Sequence, residues 1–130
     1  MFWETVKIKN EAKGRTAPYA SVGFGRISIS VAACELIKEY TQYSFAELLK
    51  GKINNKPCIG VRLLHEKERT ENSLPIKRRQ VSGKFIGGFE IASKLTLEEL
   101  FGPSASASKA TRYNAIKDPD SDNILIVFLN

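Results

Sequence analysis

One order of segments occurs twice in this chain, and it limits the fold more than any other feature. A β-rich segment containing glycine leads into a short helix, then a strand, a polar turn and an apolar strand. In the first half these are residues 21–30, 31–40, 43–53, 54–57 and 58–64; in the second they are 84–91, 96–101, 112–117, 118–123 and 124–129. Val61 and Leu63 correspond to Val127 and Leu129, and Glu35-Leu36-Ile37 to Glu99-Leu100-Phe101, an offset of 64 to 66 in a chain of 130 residues. A unit of half that length cannot easily cover both faces of its own strands. Two copies about a pseudo-twofold axis can interlock into a barrel, which also removes exposed edges. The expected fold is therefore α+β and strand-rich, with duplicated strand–helix–hairpin units forming a pseudo-twofold barrel with two short helices. It is one domain over residues 1–130, with repeats at 19–64 and 82–130. A competing register sets residues 44–51 against 96–102, capping box on capping box, and would break this scheme.

The segments themselves are read from periodicity and punctuation. Residues 4–9 (ETVKIK) alternate Val6 and Ile8 with Thr5, Lys7 and Lys9, the pattern of a strand exposed on one face. In residues 21–30, Val22 and Phe24 occupy even positions but Ile27 and Ile29 odd ones. A single strand keeps both pairs on one face only through a bulge or bend, which Gly23 and Gly25 permit. Ser30 is placed to cap a helix over 31–40, in which Ala33, Leu36, Ile37 and Tyr40 form one stripe.

Residues 43–53 fit two readings. Tyr43, Phe45 and Leu49 alternate as in a strand, whereas Ser44-Phe45-Ala46-Glu47 with Gly51 fits a capped helix. The strand is preferred, because the turn at Asn54-Asn55-Lys56-Pro57 then joins it to residues 58–64 as a hairpin. Residues 75–80 read as an edge strand and 84–91 as a strand bent at Gly87-Gly88. The capping box at Thr96 opens a helix ending at Gly102, and residues 103–110 (PSASASKA) read as a mobile loop. Residues 124–129 carry apolar side chains on both faces, as a central strand does.

Composition narrows the class. An apolar share of 42% with 26% charged residues fits a folded globule rather than a disordered chain. The longest apolar run, residues 124–129, is too short to cross a bilayer, so no membrane partner is expected. The first residues lack the basic and apolar regions of a secretory signal, which points to the cytoplasm and to Cys34 and Cys58 as buried thiols. The net charge of +6, from 20 Lys and Arg against 14 Asp and Glu, favours an acidic partner.

At Gly25-Arg26-Ile27-Ser28-Ile29-Ser30, followed by a helix and a hairpin, the first half resembles the swapped-hairpin domain of AbrB- and MazE-like regulators. That family shows a Gly-Arg/Gln-Ile/Val-x-Ile-Pro turn into a short helix, then a strand pair. The likeness covers about 40 residues. Ser30 stands where the family usually has Pro, and residues 31–40 lack its helix Arg and the Gly that follows. The resemblance implies a single-chain equivalent of that family's intertwined dimer and, with it, DNA binding.

The candidate nucleic-acid-binding residues are Arg26, Lys67, Arg69, Lys77, Arg78, Arg79 and Lys84; the last six are clustered between positions 67 and 84. Cations that neutralise phosphates release counterions, so such binding weakens as salt rises. Lys7, Lys9, Lys13 and Arg15 form a second basic stretch, and Trp3, Tyr19 and Tyr113 could stack on unpaired bases. Glu68 and Glu71 dilute the first cluster.

Other motifs fail on chemistry. The acidic turn at residues 118–123 has Asn123 where a calcium loop needs Gly, and Leu129 where it needs Glu. Ser82-Gly83-Lys84 lacks the upstream Gly and the following hydroxyl of a phosphate loop. His65 is the only histidine and has no placed nucleophile, and one His with two Cys cannot complete a zinc site. The sequence thus points to a non-enzymatic nucleic-acid-binding protein without cofactor or metal. The alternative is a protein-binding adaptor or inhibitor of the kind mobile genetic elements encode, with an acidic protein surface as partner. Oligomeric state is left open by the sequence.

Overall fold

A computed structural model describes residues 3–5, 17–81 and 84–129. Its elements are β1 (Tyr19–Gly23), β2 (Arg26–Ile29), α1 (Val31–Cys34), β3 (Phe45–Ile53), β4 (Lys56–Leu64), β5 (Leu74–Pro75), β6 (Lys77–Val81), β7 (Lys84–Ala92), α2 (Lys94–Phe101), β8 (Thr111–Lys117) and β9 (Ile124–Phe128). All strand pairings are antiparallel, in the order β5-β3-β4-β9-β8-β1-β2-β7-β6. The two ends of this sheet, β5 and β6, are separated in the chain only by Ile76, whose N–H donates to the Ser44 carbonyl at 2.9 Å. One stretch of chain therefore pairs with β3 and then with β7, and the sheet curls into a nearly closed barrel.

Alternation along the strands fills that barrel. Ala20 and Val22 of β1, Ile27 and Ile29 of β2, Ile59, Val61 and Leu63 of β4, Phe89 and Ile91 of β7, and Leu125 and Val127 of β9 all join one buried core. Several of these are wholly buried, and each fully buried aliphatic side chain contributes roughly 1.5–3 kcal/mol relative to exposure. β9 lies between β4 and β8 with Leu125, Ile126 and Val127 all buried, so it is the central, double-sided strand expected.

The change of phase in residues 21–30 has a different cause from the bulge expected. Phe24 and Gly25 have φ of 57° and 73°, so the chain reverses in a two-residue turn. Residues 21–30 are thus parts of two paired strands, with Val22 opposite Ile27 and Ala20 opposite Ile29. Directly opposed residues share a face, so even positions on one strand join odd positions on the next. Gly25 is a turn residue, whereas Gly88 lies within β7. A Cβ on Gly88 would collide with the Ile29 carbonyl, so the lack of a side chain lets β7 press against the end of β2.

Residues 43–53 resolve in favour of the strand. β3 pairs with β4 over nine residues, and Asn54 and Asn55, with φ of 52° and 65°, form the tight turn. The helix expected over 31–40 is much shorter. Ser30 caps it as expected, its Oγ accepting from the Ala33 N–H at 3.1 Å, but the regular helix ends at Cys34. Beyond it Leu36 and Ile37 bond three residues back, and Glu39 adopts a left-handed φ of 54°. Tertiary contacts override propensity here: Ile37 is drawn into the core while Leu36 is left 37% exposed.

The second helix begins two residues before the expected capping box, at Lys94, where the Ser93 carbonyl accepts from Leu97 N–H at 2.9 Å. Residues 103–110 are tied down rather than loose. Pro103–Ser106 form a 3-10 turn, Ala105 is fully buried, and the N–H groups of Phe24 and Gly25 donate to the Ala107 and Ala105 carbonyls at 2.9 and 2.8 Å. The strand expected at residues 4–9 lies, from position 6 onward, outside the described residues. Among the described residues no helix is long and apolar enough to cross a membrane.

Candidate functional site

Of the seven cations chosen from sequence, the five whose side chains are described (Arg26, Lys67, Arg69, Lys77 and Arg78) are not brought together as one patch. Lys67 and Arg69 flank the 3-10 turn Glu66–Glu68, where Lys67 sits between two glutamates and the Arg69 guanidinium lies 5.5 Å from the centre of the Phe45 ring. Arg78 turns inward from β6. Its Nη2 donates to the Tyr43 carbonyl and, at 3.2 Å, to the Tyr40 carbonyl, so it pins the end of the α1–β3 connection to β6. This arginine is a structural tie, and it leaves the solvent-facing set. Arg26 pairs with Glu90 at 3.4 Å. Lys77 is exposed on β6, opposite Glu90 in the register. The side chains of Arg79 and Lys84 lie outside the described residues, as do Lys7, Lys9, Lys13 and Arg15.

A different cation does stand in a formed site. Arg112 on β8 lies across the sheet from Ser21 on β1, and Ser21 is in turn opposite Ser28 on β2. Ser28 faces Glu90 on β7, and Glu90 faces Lys77 on β6. Five strands thus contribute one outward row, Arg112–Ser21–Ser28–Glu90–Lys77. Beside it is a groove of about 360 Å³, lined by residues that include Tyr19, Ser21, Ser28, Ser30, Glu90 and Arg112. Gly88 adds no side chain to that lining.

The groove is organised by local bonds. Ser30 Oγ accepts from both the Ala33 N–H and the Tyr19 N–H at 3.1 Å, so one hydroxyl caps α1 and fixes the start of β1. The Arg112 guanidinium carbon lies 4.3 Å from the centre of the Tyr19 ring, a cation–π contact that orients the charge and leaves its N–H groups as donors. Among the described residues, Arg112 and Glu90 are the charged groups that line the groove, with Arg26 paired to Glu90 and Lys77 opposite it in the register. Such an arrangement can hold an anion with Arg112, a planar group against Tyr19, and polar edges with the serine hydroxyls.

Of the aromatic candidates, Tyr19 lines this groove, Tyr113 packs against Phe101 with ring centres 5.4 Å apart, and Trp3 is 87% exposed. Arg112 and the serines went unselected in the sequence because they are isolated there; only strand pairing assembles them. The sequence does mark Ser28 and Ser30, which alternate with buried Ile27 and Ile29 and must therefore face outward.

The remaining reactive groups are placed as follows. His65 packs on Tyr43 with ring centres 4.7 Å apart, and its Nε2 is 4.0 Å from Glu68 Oε1. Burial pushes the Cys34 thiol up to about 12, with a smaller opposing influence from a backbone hydrogen bond at Phe89 and from Arg78. A thiol held protonated in this way is a poor nucleophile. The Tyr40 hydroxyl is likewise shifted upward, chiefly by burial. Among the described residues no three His, Cys, Asp or Glu side chains converge as metal ligands. Comparison of the chain with family models, with curated proteins and with solved structures finds no match.

Proposed function

We propose that this chain binds nucleic acid, without catalysing a reaction on it, through the outer face of β1, β2, β7 and β8. The observation that carries this reading is the groove in which Arg112 stacks on Tyr19 beside three serine hydroxyls. Arg112 and Lys77 supply phosphate contacts, Tyr19 a surface for a base or sugar, and the serines hydrogen bonds to either. The overall charge of +6 adds long-range attraction.

The regulator-like architecture belongs to the same proposal. We read the barrel as two fused copies of one unit, in which β2–α1–β3–β4 corresponds to β7–α2–β8–β9. The strand order supports this reading. Corresponding strands pair with each other, β2 with β7 and β4 with β9. The segment β5–β6 takes the place of β1, lying between one strand of each half. Such a chain is a single-chain form of the intertwined dimer that the swapped-hairpin resemblance implies.

The test is fluorescence anisotropy with random-sequence duplex and single-stranded DNA and RNA across a salt series. Binding that weakens steeply with salt is expected, and Arg112→Ala should lower affinity about tenfold and flatten the salt slope by about one. No binding to any of these at low salt would remove the proposal. The adaptor reading is favoured by a separate observation, an apolar outer face on the opposite side of the barrel.

A further inference from the structure

The serine groove carries opposite charges at its two ends. Among the described residues that line it, Arg112 and Glu90 are the charged ones. They stand on β8 and β7, with Ser21 of β1 and Ser28 of β2 between them in one row. Three strand spacings separate their backbones by about 14 Å, at roughly 4.8 Å per step. The groove volume of about 360 Å³ is on the scale of a single nucleotide. A carboxylate repels phosphate, so an anionic group can enter only at the Arg112 end. Whatever reaches Glu90 must present hydrogen-bond donors.

Glu90 is held in place for such donors. Its side chain is 24% exposed, and Arg26 Nη1 lies 3.5 and 3.4 Å from its two oxygens. Arg26 is opposite Ala92, so it reaches Glu90 from the side away from Gly88, and it is not part of the groove lining. One nitrogen shared between both oxygens fixes the carboxylate and leaves lone pairs on each. Two parallel acceptors match two parallel donors. Of the common bases, guanine alone offers these on its Watson–Crick edge, as N1–H and N2–H. Adenine and cytosine set a donor beside an acceptor, and thymine and uracil have one N–H between two carbonyls. We propose that Glu90 selects guanine in single-stranded nucleic acid, accepting from that edge while Arg112 holds the phosphate and Tyr19 backs the sugar. That selection rests on the nucleic-acid reading of the groove, to which it adds the base. The base must be unpaired, because in a duplex the same edge is bonded to cytosine.

Fluorescence anisotropy tests this with short oligothymidine and oligouridine strands, each carrying one guanine or one adenine at its centre. The guanine strand should bind about tenfold more tightly, and annealing it to its complement should remove the advantage. Glu90→Gln places a donor beside an acceptor, the arrangement that adenine matches. It should abolish the guanine preference and favour the adenine strand, while the circular dichroism spectrum stays that of wild type. Equal binding of guanine and adenine strands by the wild-type chain overturns guanine selection but leaves nucleic-acid binding in place. So does a Glu90→Gln chain that keeps the wild-type preference. Absence of binding to every strand removes both.

Discussion

On β1, β2 and β7 the outward side chains include Ser21, Ser28 and Glu90; on β3, β4 and β9 they include Leu49, Cys58, Ile126 and Phe128. The core-forming inward side chains of both regions are alike, mainly aliphatic with Phe89 among them, and packed into one core. β8 belongs to both regions, carrying Arg112 toward the serine groove and Ile116 toward the apolar face. Inward positions are constrained by the shared core, which admits little besides aliphatic side chains of fitting volume. Outward positions carry no such constraint, so the two sides are free to differ there.

The largest effect on this contrast should come from Gly88, at the floor of the polar side. Gly88→Ala forces a Cβ into the Ile29 carbonyl and should cost about 3 kcal/mol or more, read as a lowered urea midpoint. A variant as stable as wild type would mean that β2 and β7 are not pressed so closely together. Next comes Arg78→Leu, which leaves the Tyr40 and Tyr43 carbonyls without their donor. It should cost about 2 kcal/mol in the same measurement while leaving nucleic-acid affinity unchanged. A loss of binding at constant stability would return Arg78 to the recognition set.

The contrast itself is tested by crossing variants. Arg112→Ala should weaken nucleic-acid binding while leaving stability untouched within about 0.5 kcal/mol. Ile116→Lys, at an exposed position on the other outer face, should leave nucleic-acid binding unchanged, and a loss of binding there would mean that the two faces act as one. The smallest effect concerns Cys34, which lies in the core behind the serine face. Its thiol is raised by burial from 9.0 to about 12, so its stabilisation is complete below about 9 and is lost as pH rises toward 12. In mildly alkaline buffer Cys34 should therefore resist iodoacetamide until the chain unfolds, as peptide mass mapping can show. Modification of the native chain at the rate of a free thiol would refute this.

Much of the fold was legible because strands and turns announce themselves locally. The alternation in β4 and β9, the Asn54-Asn55 turn, the Ser30 cap and the pairing of residues 43–53 with 58–64 follow from side-chain period and backbone preference. The phase change at Gly25 was visible too, but its cause was ambiguous. A bulge and a two-residue turn leave the same trace in a sequence, and only the partner strand distinguishes them. The helix after Ser30 was overextended because its stripe was real in the sequence, while the core wanted Ile37 and not Leu36. The site was least legible. Charge density singled out residues 67–84, yet Arg78 serves the backbone of the α1–β3 connection and Lys67 sits among glutamates.

By itself, then, the sequence determined that this is a strand-rich chain, how the side chains of β4 and β9 alternate, and where the β3–β4 turn falls. Those properties depend on neighbours a few positions away. Tertiary structure alone decided that Arg112, Ser21, Ser28 and Glu90 share one row, and that Leu49, Gly60, Ile126 and Ile116 share another. Each row joins a hairpin pair, aligned by its own turn, to strands far apart in the chain, whose pairing no local turn dictates.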